Sequence, residues 1–159
     1  MSSLDRSDPV ILGHILAEHH ELFAQITAVR TAFADPDACG PDESRCAACR
    51  ATVLASLHIV REHLRSHFAH EEEGGFLEES IARMPRLAAN ANVILSQHPA
   101  LLAEVDAVIS KLSTGDGSQA VWKQAGCDFE SFATHIMSHE KLENSVIQDG
   151  YNEDLGLID

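Results

Sequence analysis

Apolar side chains return every three or four residues along almost the whole chain, the spacing of one face of an α-helix and not the alternation of a half-buried strand. Four stretches carry the pattern. The first runs from Pro9 to about Ala34 with the stripe Leu12, Ile15, His19, Leu22, Ile26, Val29, Phe33. The second, from near Cys46 to Glu73, places Val53, Leu57, Val60, Leu64, His67 and Glu71 on one face. A third, from Pro85 to Leu112, carries Leu87, Ala91, Ile94, His98, Leu101, Val105, Val108 and Leu112. The fourth, from about Ser118 to Gln148, reads Val121, Ala125, Asp128, Phe132, His135, His139, Leu142, Val146.

Loop chemistry separates these stretches. Asp35-Pro36-Asp37-Ala38-Cys39-Gly40-Pro41-Asp42, Gly74-Gly75 and Ser113-Thr114-Gly115-Asp116-Gly117 are runs of helix-breaking and turn-forming residues. Short connections make neighbouring helices antiparallel, which predicts an all-α, up-down-up-down four-helix bundle over residues 9–148. Residues 149–159, acidic and holding Gly150 and Gly156, read as a tail with little periodicity. Pro99 inside the third stretch predicts a kink or a split, with Ser96 placed to cap a restart.

Size and charge narrow the function. The 159 residues suffice for one domain with its own core. Lys and Arg total 11 against 25 Asp and Glu, and a net charge of −14 repels nucleic-acid phosphates and anionic lipid alike. No segment has the apolar length of a membrane span, and Met1 to Pro9 lacks the basic and apolar regions of a signal peptide. These features predict a cytoplasmic protein. Its four cysteines, at 39, 46, 49 and 127, are too few and too unevenly spread for a secreted disulfide framework.

Histidine changes the picture most: there are ten, beside one Trp, one Tyr and six Phe. Polar residues interrupt the apolar stripes at His19, His67, Glu71, His98, His135 and His139, with Asp128 further up the fourth helix. A buried imidazole or carboxylate without a partner costs at least ~1–3 kcal/mol, so such a set must satisfy itself or hold something. Spacing brings it to one level. His19 lies 14 residues before Phe33 and His67 18 after Cys49, while His98 lies 14 before Leu112 and His135 17 after Ser118; at ~1.5 Å of rise per residue both hairpins return their polar residues to similar heights. The chain also echoes itself. His19-x-x-Leu22 matches His98-x-x-Leu101, and His67-Phe68-Ala69-His70-Glu71-Glu72 is set against His135-Ile136-Met137-Ser138-His139-Glu140. Mixed imidazole and carboxylate donors in a bundle core suit non-haem iron or manganese, and zinc accepts them too.

With a His in the first helix, His-Phe-x-x-Glu-Glu in the second, His-x-x-Leu in the third and a His-Ile motif in the fourth, the chain resembles the hemerythrin-like (HHE cation-binding) family from about Ile11 to Ile147. The resemblance implies a four-helix bundle around two iron ions bridged by carboxylate and by an oxo or hydroxo group, with zinc as the alternative metal. It implies a centre that binds or senses dioxygen, nitric oxide or redox state, or else one that processes peroxide or nitric oxide, or a store or interaction module for iron or zinc. Carried over by position, His19, His67, Glu71, His98 and His135 fall on ligand positions. His139 stands where most bacterial relatives carry a second bridging Glu. Two completions stay open: His139 binds metal directly, or Glu140 bridges, since His135-x-x-x-x-Glu140 resembles the His-x-x-x-x-Asp of oxygen-carrying hemerythrins.

The remaining histidines read more plainly. His20 is about 100° off the stripe and reads as exposed or supporting, although a one-residue error of phase would exchange it with His19. His63 and His70 flank His67 as solvated or supporting residues, and His14 and His58 have no partner visible in sequence. Glu72 reads as exposed or supporting. Cys46-Ala47-Ala48-Cys49 at a helix start is either a redox pair or two small residues opening a helix, with Cys39 nearby as the third member of a clip. Cys127 reads as a core filler.

Overall fold

In the computed structural model α1 spans Pro9–Phe33, α2 Glu43–Glu72, α3 Phe76–Arg83, α4 Ala88–Thr114 and α5 Gln119–Gly156. The structure describes residues 9–35, 38, 40–73 and 76–156; the N-terminal segment before Pro9, Pro36-Asp37, Cys39, Gly74-Gly75 and residues 157–159 lie outside them. The turn residues act locally. Asp42, in extended backbone, ends the first loop and its Oδ1 accepts the N–H groups of Ser44 and Arg45 at 3.0 and 3.3 Å, capping α2. Before α5, Asp116 Oδ1 accepts the Ser118 N–H at 2.9 Å and Ser118 Oγ accepts that of Val121 at 3.2 Å. Gly117 between them takes φ 73°, the left-handed region open to glycine, and its carbonyl accepts the Arg50 guanidinium at 3.1 Å.

α1 packs on α2, α2 on α4, α4 on α5, and α5 back on α1. The four long helices thus close an antiparallel ring around a shared interior. Apolar side chains fill it in two bodies. The larger holds Leu22, Ile26, Val53, Leu57, Leu64, Phe68, Leu101, Val105, Phe129, Phe132 and Ile136; the smaller holds Leu77, Met84, Leu87, Ala91, Ile94 and Val146. Fully burying one such aliphatic side chain is worth about 1.5–3 kcal/mol. No helix among the described residues is long and apolar enough to cross a membrane.

The bundle differs from the sequence expectation in four places. α3 is an added element: its Leu77, with Met84 just after its end, 1 % and 5 % exposed, covers one end of the bundle, and Gly150 of α5 lets Ser80 approach where a Cβ would meet its Oγ at 3.2 Å. α5 does not stop at Gln148 but runs to Gly156, so residues 149–156 extend the helix instead of forming a tail. α4 continues through Pro99, and Ser96 hydrogen-bonds back to the Val93 carbonyl at 2.7 Å rather than capping a restart. Cys127 is exposed, one step round α5 from Gly126, which lies against Phe33. The thiols of Cys46 and Cys49 donate to Gly40 O at 3.3 Å and Asp35 Oδ2 at 3.7 Å.

Candidate metal centre

Along each long helix the apolar stripe gives way to polar residues at the level between the two apolar bodies. On α4, His98 follows Ile94 and precedes Leu101; on α5, His139 and Glu143 separate Ile136 from Val146. With His19 of α1 and His67 and Glu71 of α2, these six side chains are 0–6 % exposed. The i, i+4 spacing of His67 and Glu71, and of His139 and Glu143, puts each pair on one helix face.

Their donor atoms form two groups, each within 4.8 Å of mutual approach: His19, His67, Glu71 and Glu143, and Glu71, His98 and His139. Glu71 belongs to both. Its Oε1 lies 2.8 Å from His67 Nε2 and its Oε2 2.9 Å from His98 Nε2. Glu143 reaches the same way: Oε1 is 3.1 Å from His19 Nε2 and 3.6 Å from His67 Nε2, while Oε2 is 3.6 Å from His139 Nε2. Two carboxylates therefore span two pairs of imidazoles.

Close approach is not mutual satisfaction. Both Glu71 oxygens, Glu143 Oε2, His98 Nε2 and His139 Nε2 are buried and make no hydrogen bond, since the short contacts lack hydrogen-bond alignment. Each such group left unpaired costs about 1–3 kcal/mol. Cations among them would remove that cost, and four imidazoles with two carboxylates fit iron, manganese or zinc.

The outer nitrogens of three rings are already held. His67 Nδ1 bonds Glu18 Oε2 at 2.7 Å, His98 Nδ1 bonds Glu72 Oε1 at 3.0 Å, and His139 Nδ1 donates to Gln97 Oε1 at 2.9 Å. Such bonds fix ring orientation and leave each Nε2 facing the centre. Phe68 adds a wall, stacked on His98 with ring centroids 3.9 Å apart and edge-on to His139 at 5.5 Å.

Without a metal, protons balance the charge. Burial alone would lower the His67 pKa, but the Glu143 and Glu71 carboxylates close beside its Nε2 outweigh it and raise it to about 11. Burial would raise Glu71, yet His67 and His98 hold it well below the usual carboxylate range. Burial, aided by the charge of His98, lowers His139 to about 4. The signs follow by linkage. His67 stabilises the metal-free fold below its unfolded value near 6.5 and loses that contribution as pH rises through about 11; His139 weakens the fold as pH falls from about 6.5 through 4. Metal must displace the His67 proton. Adding Zn2+ to metal-free protein in weakly buffered solution at pH 7 is expected to acidify it, and His67→Ala to release fewer protons per ion bound.

The structure brings together His19, His67, Glu71, His98 and His139 of the residues the sequence pointed to, and it leaves out His135 and Glu140. His135 is exposed, its side chain 59 % accessible, and its Nδ1 bonds Glu104 at 2.8 Å on the outside of α5. Glu140 lies outside both groups, and burial followed by the charges of Glu143 and Glu71 raises its pKa to about 7. Asp128 pairs with Lys111 and Gln124 instead of facing the centre. The residue missed is Glu143. Past Ala125, the buried face follows Phe129, Phe132, Ile136, His139, Glu143 and Val146, not Asp128, His135 and Leu142. The signal was the echo itself in its other register: His67-x-x-x-Glu71 matches His139-x-x-x-Glu143. His139 is thus the counterpart of His67, and Glu143 the counterpart of Glu71. His20 is exposed, as one of its two readings has it, His14 and His58 are exposed too, and Glu72, exposed, supports His98.

The family model for the hemerythrin HHE cation binding domain matches residues 10–149. Neither the curated proteins nor the solved structures yielded a match.

Proposed function

The chain belongs to the hemerythrin HHE cation-binding domain family, and on that premise we propose that its centre holds two iron ions and binds a small ligand such as dioxygen, nitric oxide or peroxide. His19 and His67 would serve one ion, His98 and His139 the other, with Glu71 and Glu143 shared. The observation that carries this reading is the pair of donor groups joined through Glu71, with buried, unpartnered atoms of Glu71, Glu143, His98 and His139 among them. Bound iron would supply a reversible one-electron change and coordination positions that six protein side chains do not fill.

The chain's own residues prepare the place. Glu18, Glu72 and Gln97 orient the imidazoles, Phe68 packs against two of them, and the apolar bodies above and below keep water from the carboxylates. A half-open cleft of about 190 Å³ between α4 and α5, lined by Gln97, Leu101, Glu104 and His135 among others, leads to the amide that holds His139. It is wide enough to admit a diatomic molecule or peroxide, and this is the side from which a small ligand would approach.

Metal analysis of protein from iron-supplemented cells, with an absorption spectrum of the same sample, tests the reading. The expected result is two irons per chain and near-ultraviolet bands that respond to azide or reductant. Zinc alone, with no spectral response, would overturn the redox reading in favour of a zinc-binding module.

A further inference from the structure

The supports of the imidazoles follow a rule around the ring of helices. Glu18 of α1 holds His67 of α2, Glu72 of α2 holds His98 of α4, and Gln97 of α4 holds His139 of α5. Each support sits beside a centre-facing residue in the chain. Glu18 and Gln97 come one residue before His19 and His98; Glu72 comes one residue after Glu71. The alternation has a geometric cause. One step back along an ascending right-handed helix and one step forward along a descending one rotate the side chain in the same sense about the bundle, by ~100°. Every support therefore leans toward the next helix in the same direction.

The rule has a fourth place, from α5 back to α1, which packs against it. In the register that pairs His67 and Glu71 with His139 and Glu143, the counterpart of Glu72 is Asn144. The ring still without an outer partner is His19: its Nε2 faces Glu143 and His67 at 3.1 and 3.3 Å, and its Nδ1 is buried with no hydrogen bond. Asn144 Oδ1 is likewise buried with no hydrogen bond. With His19 Nε2 given to a metal, Nδ1 carries the ring hydrogen and lacks an acceptor, while the Asn144 oxygen lacks a donor.

We propose that Asn144 is the positioning residue of His19, its side-chain carbonyl accepting the His19 Nδ1–H and closing the ring of supports. The proposal rests on the metal reading above. It gives the centre two carboxylate-held imidazoles, His67 and His98, and two amide-held ones, His19 and His139, so that each proposed ion has one of each. A carboxylate support makes an imidazole a stronger donor than an amide does.

The test compares Asn144→Leu, Asn144→Asp and Glu140→Leu. Zn2+ affinity is measured by competition with a chromophoric chelator, and the His19 ring N–H by nuclear magnetic resonance of metal-free protein. Asn144→Leu is expected to weaken Zn2+ binding about 10–100-fold and to lose the protected Nδ1–H signal, while the metal-free protein stays folded with its thermal midpoint lowered by a few degrees. Asn144→Asp keeps an acceptor oxygen and should restore both readouts, whereas Asn144→Leu, of similar volume, would leave them intact if Asn144 only filled space. Unchanged affinity and signal in Asn144→Leu overturn the proposal, as does their loss in Glu140→Leu alone, since Glu140 also carries a buried, unpartnered oxygen and its charge acts on His19. Should the wild type take up neither zinc nor iron, the metal reading fails, and the ring signal still decides the hydrogen bond.

Discussion

Glu143→Ala is expected to abolish stable metal retention, whereas His135→Ala leaves it unchanged. Glu143 is 0 % exposed and faces His19, His67 and His139, so its loss removes a carboxylate shared by both donor groups. Losing an outer support costs about 10–100-fold in metal affinity; losing a shared donor should exceed that. The metal-free protein registers the change as well, because Glu143 is one of the two carboxylates that keep His67 protonated, and its pKa should fall in the variant. His135 has nothing to lose at the centre, with its ring in solvent and bonded to Glu104. Metal retained after dialysis against a chelator separates the two variants. Retention in Glu143→Ala with loss in His135→Ala would return the fourth helix to the face marked by Asp128, His135 and Leu142.

Phe68→Ala should be the most damaging change outside the donors. Phe68 is 2 % exposed, belongs to the larger apolar body, and lies parallel to His98 with 5° between the planes. Phe-to-Ala in a packed interior costs about 3–5 kcal/mol through lost transfer energy and the cavity left behind, a large share of the 5–15 kcal/mol by which domains are stable. It also frees two rings at once, since Phe68 touches His139 edge-on. Chemical denaturation of the metal-free variant is expected to show a lowered midpoint, and the folded fraction to hold metal more weakly. Phe68→Leu keeps much of the volume without the stacking. It should recover most of the stability and less of the metal affinity. Equal recovery of both would reduce Phe68 to a space-filler.

The type, number and direction of the four long helices were legible in the sequence because they rest on local physics. The three-and-four spacing on the first three long helices marks Ile15, Leu22, Val53, Leu57, Ile94 and Val105, and all are buried. Turn residues such as Asp42 and Gly117 act within a few residues of themselves. His19, His67, Glu71 and His98 were legible for the same reason: each interrupts an otherwise apolar face. α3 was not, since an eight-residue helix has too few turns to show a period and gains its place by covering Ala91, Ile94 and Val146.

The fourth helix marks the boundary between the two kinds of information. Its sequence admits two stripes, one through Asp128, His135 and Leu142, the other through Phe129, Ile136 and Glu143, each with helical spacing and one residue out of step. Nothing local chooses between them, because an isolated helix has no inside. The choice is made by α1 and α4, which bury Phe129, Phe132 and Ile136 and leave His135 to solvent. That rotation carries Glu143 into the centre, beside His19, a residue 124 positions away in the chain. The sequence by itself determined the four long helices, their order and most of the donors. Which face of α5 completes the centre was decided only when four helices packed together, because burial is a property of the assembled bundle and not of any one strand of residues.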